Sequence, residues 1–193
     1  GYNNTDRNSV ALSLKEDDKE ILEKLNNLLQ PKKPLQYVKI KTTNSSNQYR
    51  LVIANNHISQ KLVELGCNKA KTYSLIFPSE KQVPKYLVRH FVRGYFDGDG
   101  WVGKKAINIV STLNFCNSLA EILNQELNVN SYIRARYPER NNNIRQLEIN
   151  HKQARTFLKW IYNDSAIYLQ RKYDKYIKQI NYEKSLIPKK KKV

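Results

Sequence analysis

The chain repeats itself. Gly1-Tyr2 returns as Gly100-Trp101, 99 positions later. The apolar set Ile21, Leu22, Leu25, Leu28 and Leu29 returns as Leu119, Ala120, Leu123, Glu126 and Leu127, 98 positions later. That spacing puts one stripe on the face of a helix. Glu126 is the one lapse, and it marks copies that have drifted apart. A duplication of this size constrains the fold more than local propensity does, because each copy must bury the same face in the same way. It predicts two similar halves related by a pseudo-twofold axis, residues 1–83 and 84–185, with a basic tail at 186–193.

Each copy reads as strand, helix, strand, strand, helix. In the first, residues 10–14 alternate like a strand, and a helix over 16–29 stops at Pro31 and Pro34. A strand over 37–41 points Val38 and Ile40 one way and Lys39 and Lys41 the other. A strand over 49–53 leads into a helix capped by Asn55 or Asn56 and ended by Gly66. The second copy opens with an additional apolar helix over 86–96, ended by Asp97-Gly98-Asp99-Gly100. Strands then fall at 106–110, 132–137 and 144–150, and helices at 114–127, 153–162 and 168–183. The leading helix has no counterpart before Gly1, and the chain contains no methionine. The expectation is an equivalent helix upstream of residue 1 in a longer reading frame.

Charge narrows the partners. Lys and Arg number 34 against 17 Asp and Glu, a net charge of +17, which points to a polyanion. Hydrophobic residues at 40% are too many for a disordered basic tail. No apolar run approaches the length of a membrane span, and no signal-peptide pattern opens the chain. Cys67 and Cys116 are too few for a four-thiolate zinc site and read as free thiols in a reducing compartment. His57, His90 and His151 are not spaced as a metal pair. The expected location is intracellular. The lysine-rich tail reads as a solvated, phosphate-seeking segment in preference to a nuclear-import signal.

The segment from Phe91 to Gly100 carries the chemistry. Apolar residues deliver two acids, Asp97 and Asp99, to a helix end, with Gly98 and Gly100 freeing the backbone for a tight turn. The helix dipole disfavours an acid there, so a compensating cation is expected, and Mg²⁺ with oxygen ligands is the natural one. Along the strands and loops, Lys39, Lys41, Gln48, Arg50, Lys104, Arg134, Arg136, Arg140, Arg145 and Gln146 form faces suited to a DNA groove. The tyrosines Tyr168, Tyr173 and Tyr176 have helical spacing and read as partial core packing.

Val92 to Gly100 resembles the nine-residue signature of the LAGLIDADG homing endonucleases. Gly94, Asp97, Asp99 and Gly100 match it, while Arg93 and Gly98 stand where the signature has alanine. The repeat order, residues 71–78 and residues 168–172 look familial too. The resemblance implies an α+β, duplicated αββαββα fold whose antiparallel sheets form a saddle over duplex DNA. It implies site-specific double-strand cleavage with Mg²⁺, or Mn²⁺ or Ca²⁺ in its place, by a monomer with internal pseudo-symmetry. By the same resemblance Asp99 binds metal, and the second metal carboxylate belongs immediately before Gly1, which marks that position. Gly94, Asp97, Gly98 and Gly100 form the helix turn and interface. Lys71 and Lys172 lie near the cut phosphates, and Thr112 orders water, with Leu14 at the matching place of the first copy. Two rivals share the scaffold: an RNA-splicing maturase acting on intron RNA, and a DNA-binding regulator that does not cut.

Overall fold

The computed structural model describes residues 1–41, 46–67, 73–140 and 143–186, with side chains as far as residue 181. The chain divides into two compact units, Gly1–Ser74 with Pro78–Tyr86, and Leu75–Phe77 with Leu87–Val193. The fold is α+β, and each unit holds a four-stranded antiparallel sheet.

The first unit runs β1 (Tyr2–Asn4), β2 (Ser9–Lys15), α1 (Lys19–Leu29), β3 (Gln36–Val38), β4 (Gln48–Ala54) and α2 (Asn56–Glu64). Its strand order is β1-β2-β4-β3. Directly paired residues share a face. Leu12 pairs with Leu51 and Leu14 with Tyr49, so these four lie on the side toward the helices. There Leu51 and Leu22 of α1 are fully buried, and Lys19 lies over the Tyr49 ring at 4.9 Å. A reciprocal pair pins α2 to β1: Asn3 Nδ2 donates to Ser59 O at 2.8 Å, and Ser59 Oγ donates to Asn3 Oδ1 at 2.7 Å. Asn55 caps α2 by accepting from the Ile58 N–H at 3.0 Å. Gly66 follows at φ +89°, the left-handed region that favours glycine.

The second unit runs α3 (Val88–Asp99), β5 (Gly100–Val102), β6 (Ala106–Thr112), α4 (Leu113–Leu127), β7 (Tyr132–Ala135), β8 (Ile144–Asn150), α5 (His151–Tyr162) and α6 (Gln170–Leu186). Its strand order, β5-β6-β8-β7, repeats that of the first unit. Ile107 and Ile109 of β6 and Leu147 and Ile149 of β8 form the floor of its core. Val92 and Phe96 of α3, Phe115, Leu119 and Leu123 of α4, and Phe157 of α5 close over it. Tyr162, Tyr168, Tyr173 and Tyr176 pack as an aromatic group, with Tyr168 stacked on Tyr173 at 4.2 Å. Residues Leu75–Phe77 dock on this unit ahead of α3. Phe77 meets Phe91 edge-on at 5.4 Å and Phe115 at 5.2 Å, and Thr112 Oγ1 donates to the Leu75 carbonyl.

Several expectations need correction. The four strands of the αββαββα order are present in each unit; the one that the residue pattern alone lacked, β1 or β5, has three residues, too short to leave a periodic trace in the sequence. Helix α3 continues through Asp99, so the two acids lie inside its last turn, not beyond it. Strand β3 stops at Val38, which leaves Lys39 and Lys41 exposed past its end with no shared strand face. Strand β7 stops at Ala135. The register pairs Lys15 with Gln48 and Thr112 with Ile144, so the first-copy counterpart of Thr112 is Lys15, not Leu14.

Both cysteines are free. Cys116 is fully buried, and burial pushes its thiol up to about 11, which keeps it inert. Among the described residues no helix is long and apolar enough to cross a membrane.

Candidate functional site

The last turn of α3 turns two acids to opposite sides. Residues two apart on a helix are about 200° apart, so one acid points inward when the other points outward. Asp97 is the buried one. Its Oδ1 accepts from the Tyr162 hydroxyl at 2.7 Å, and its Oδ2 accepts from the Leu169 N–H at 3.0 Å. It thereby ties the end of α5 and the entry to α6 onto α3. Burial raises its pKa, against the opposing pull of these two bonds and of the Lys172 and Arg93 charges. Burial and the Asp97 charge both push the Tyr162 hydroxyl up, so it stays a donor.

The compensating cation expected at this helix end is Lys172. Its Nζ is buried and donates to the main-chain carbonyls of Phe96, at 2.6 Å, and Asp97, at 2.9 Å. The Phe96 carbonyl also takes the Gly100 N–H; carbonyls past it in the last turn lack intrahelical partners, and an ammonium there satisfies both hydrogen bonding and dipole. With 3% of the residue exposed, this ammonium is a cap inside the unit and is not placed to touch a phosphate. The catalytic role expected of Lys172 gives way to a positioning one. Arg93 adds a second tie, donating to Ile161 O at 3.1 Å beside His90 Nδ1 at 3.0 Å. Burial and the neighbouring Arg93 and Arg89 hold the His90 pKa down.

Asp99 is exposed and takes no hydrogen bond or ion pair from a described residue. Tyr95 is one turn back on the same side of the helix. Its hydroxyl donates to Val110 O at 3.2 Å and shares a second hydrogen bond with Ser111 Oγ at 2.9 Å, and its ring stacks on Phe115 at 4.4 Å. Burial pushes this phenol up to about 12, and the Asp99 carboxylate adds to the effect. Gly100 closes the helix, because a Cβ there would lie 2.6 Å from the Phe96 carbonyl oxygen and 2.2 Å from its ring. A Cβ at Gly94 or Gly98 would meet nothing described within 4 Å.

The donor set decides which cation fits. Among the described residues no three His, Cys, Asp or Glu gather as a metal site. Asp99 offers one carboxylate. That suits Mg²⁺, which takes most of its oxygens from phosphates and water, and it does not suit zinc. Gly1 has no side chain to contribute and sits against Leu12, whose Cδ2 lies 2.5 Å from a Cβ placed there. Lys71 lies outside the described residues.

The sheet of the second unit has one side under the helices and one side open. Register assigns Trp101, Asn108, Glu148 and Tyr132 to one row across the open side, and Val110, Gln146 and Arg134 to the next. Arg136 NH1 donates to Gln146 Oε1 at 2.8 Å, and Gln146 Nε2 donates to Glu148 Oε2 at 3.4 Å. Arg134 NH2 pairs with the same Glu148 oxygen. Gln146 is thus buried beneath this network and is not free to meet a partner. Arg145 pairs with Ser111, on the side of Leu147 and Ile149, so it belongs to the helix-covered face and not the open one. Arg140 and Arg136 flank the Tyr137 ring, at 4.7 and 5.5 Å from its centre. Lys104 is exposed in the turn between β5 and β6. In the first unit, Arg50 lies on the open side, opposite Ser13, and donates to its Oγ at 3.1 Å; Gln48 pairs with Lys15 on the same side. Thr112 caps α4, accepting from the Phe115 N–H at 3.2 Å, so its hydroxyl is committed to the fold.

Sequence reasoning missed Glu148 and Tyr95. An acid among basic residues reads as an interruption, and an aromatic in an apolar helix reads as packing. Only strand register and the Ser111 contact reveal their positions.

Residues 87–162 match the family model described as a LAGLIDADG-like domain. No curated protein matches the chain. Among solved structures, the I-LtrWI LAGLIDADG homing endonuclease bound to target DNA aligns at a TM-score of 0.55 and 12% identity, over 92% of this chain and 80% of that one. A variant of I-DmoI in complex with its target DNA in the presence of Mg aligns at 0.53 and 15%, over 81% and 82%. The N-terminal LAGLIDADG domain of DUF199/WhiA aligns at 0.50 and 16%, over 88% and 76%. At these identities the likeness is one of fold.

Proposed function

We propose that this chain, whose residues 87–162 are a LAGLIDADG-like domain, is a site-specific endonuclease acting on a long duplex DNA target. One observation carries the reading: a locked helix end presents a single exposed carboxylate, Asp99, immediately before the strand that opens a polar sheet face. The net charge of +17 supplies the attraction to a polyanion. Two of the solved relatives are held on target DNA, one of them with Mg present.

The residues divide the work. Lys172, Asp97 and Arg93 hold the end of α3 rigid. Tyr95 fastens that turn to β6. Asp99 would hold Mg²⁺ together with phosphate and water oxygens. Such a cation, when bound, supplies Lewis-acid stabilisation of phosphate charge and a more acidic water. The open faces orient the duplex, with Arg50, Arg134, Arg136 and Arg140 on or beside them. Duplex cleavage by the wild-type chain with Mg²⁺, lost in Asp99→Asn while binding persists, tests the reading. Unchanged cutting by that variant would sink it.

One observation favours a second reading, a DNA-binding module that does not cut. Among the described residues Asp99 is the lone exposed acid at this helix end, and Lys172 is committed to the fold. Tight, sequence-selective binding with no strand cleavage under any divalent cation would decide for it.

A further inference from the structure

The open face of the second unit carries an acid at its centre. Glu148 sits on β8 between Asn108 of β6 and Tyr132 of β7. Its side chain is 20% exposed, against 63% for Arg134. Both neighbouring donors, Arg134 NH2 and Gln146 Nε2, use its Oε2. No described residue bonds Oε1. The carboxylate is therefore held through one oxygen, and the partly exposed side chain keeps the other without a described donor. Exposed rings, Trp101 at 51% and Tyr132 at 67%, stand at the two ends of the row. Trp101 is seated by its neighbour, since a Cβ on Gly103 would lie 2.1 Å from the indole.

A chain that needed only phosphate attraction would gain nothing from an anion here. A carboxylate repels the backbone and accepts hydrogen bonds only. In the major groove two amino groups can donate to it, N4 of cytosine and N6 of adenine; the N7 acceptor beside the adenine amino group repels a carboxylate, which leaves cytosine as the favoured partner. We infer that Glu148 is a specificity-determining residue that reads one C·G pair through its free oxygen. Arg134 and Gln146 act as its positioning residues. This rests on the duplex-binding reading above. It also assigns the pair a second effect: Arg134 is neutralised at rest, so it adds little to nonspecific affinity.

The test is selection on a randomised duplex library in an Asp99→Asn background, which holds bound sites uncut. Glu148 is compared with Glu148→Gln and Glu148→Ala, each checked for an unchanged melting transition. The Glu148 form should fix cytosine in one column of the site. Glutamine reads adenine, so Glu148→Gln should shift that column alone toward adenine. Glu148→Ala should flatten it by roughly 5- to 150-fold in preference, the range of one good base contact. Freed Arg134 should also steepen the salt dependence by about one phosphate contact. A cytosine analogue without the N4 amino group should weaken the Glu148 form and leave Glu148→Ala unaffected, which separates a contact from a folding effect. Identical column preferences in all three proteins would overturn the inference while leaving duplex recognition standing. Failure of the Glu148 form to enrich any duplex would overturn both, and enrichment of folded RNA instead would replace them with the splicing reading.

Discussion

Lys172 donates to the carbonyls of Phe96 and Asp97, and so holds from α6 the turn of α3 that ends in Asp99. The prediction is a stability effect. Lys172→Met keeps the length of the side chain and removes the buried ammonium from both carbonyls, leaving Phe96 O with the Gly100 N–H and Asp97 O without this donor. We expect a loss of about 1–3 kcal/mol, the cost of an unsatisfied buried polar group. Chemical denaturation would measure it. If the lysine instead served catalysis alone, the variant would melt like wild type and fail only to cut.

Asp97 makes stability depend on pH with a definite sign. Its folded pKa is raised, with burial the leading cause. The folded state therefore holds the proton more tightly than the unfolded chain does. The contribution is fully present below the ordinary aspartate value and is lost as pH rises through the raised one. Asp97→Asn should flatten that slope, measured by urea unfolding across the acid range up to neutrality. An unchanged slope would assign the titration to another group.

Two neighbouring glycines should respond in opposite directions. Gly100→Ala drives a Cβ to 2.6 Å from the Phe96 carbonyl oxygen, and backbone cannot yield as a side-chain tip can. A loss of about 2–3 kcal/mol is expected. Gly98→Ala meets nothing described within 4 Å on a helical residue. It should gain about 0.5–1 kcal/mol from the lost freedom of the unfolded chain. Thermal melts of the two variants side by side settle the comparison.

Salt should weaken duplex binding steeply, since neutralising several phosphates releases as many counterions. Arg140→Ala should shallow the log–log slope more than Arg134→Ala, because Arg134 is held closely by the largely buried Glu148, whereas the Arg140 pair with Glu139 is long, at 3.7 Å, and exposed on both sides. Equal slopes for the two variants would mean that the ion pair opens on binding.

The duplication and the signature were legible in the sequence because both are periodic or local. The Asp97 and Asp99 roles were legible in part. An acid two residues from another on a helix must face elsewhere, but only the structure shows Tyr162 and the Leu169 N–H waiting for the first. The resemblance put Lys172 near the cut phosphates; its burial was not legible, because nothing local announces a carbonyl pair 75 or more residues away. Arg145 and Gln146 were misassigned for a different reason. Neighbours on a strand face opposite ways, so both cannot line one surface. Only the pairing of β8 with β6 says which one is covered.

The docking of Leu75–Phe77 onto the second unit separates the domain recognised by sequence from the piece that folds. The matched region begins at residue 87, yet Phe77 fills the space between Phe91 and Phe115, and Thr112 holds the Leu75 carbonyl. A fragment cut at the recognised boundary would start life with an uncovered aromatic trough. Anyone grafting this unit onto another protein should begin the transplant at residue 75, carrying the three-residue clasp along with the part that bears the signature.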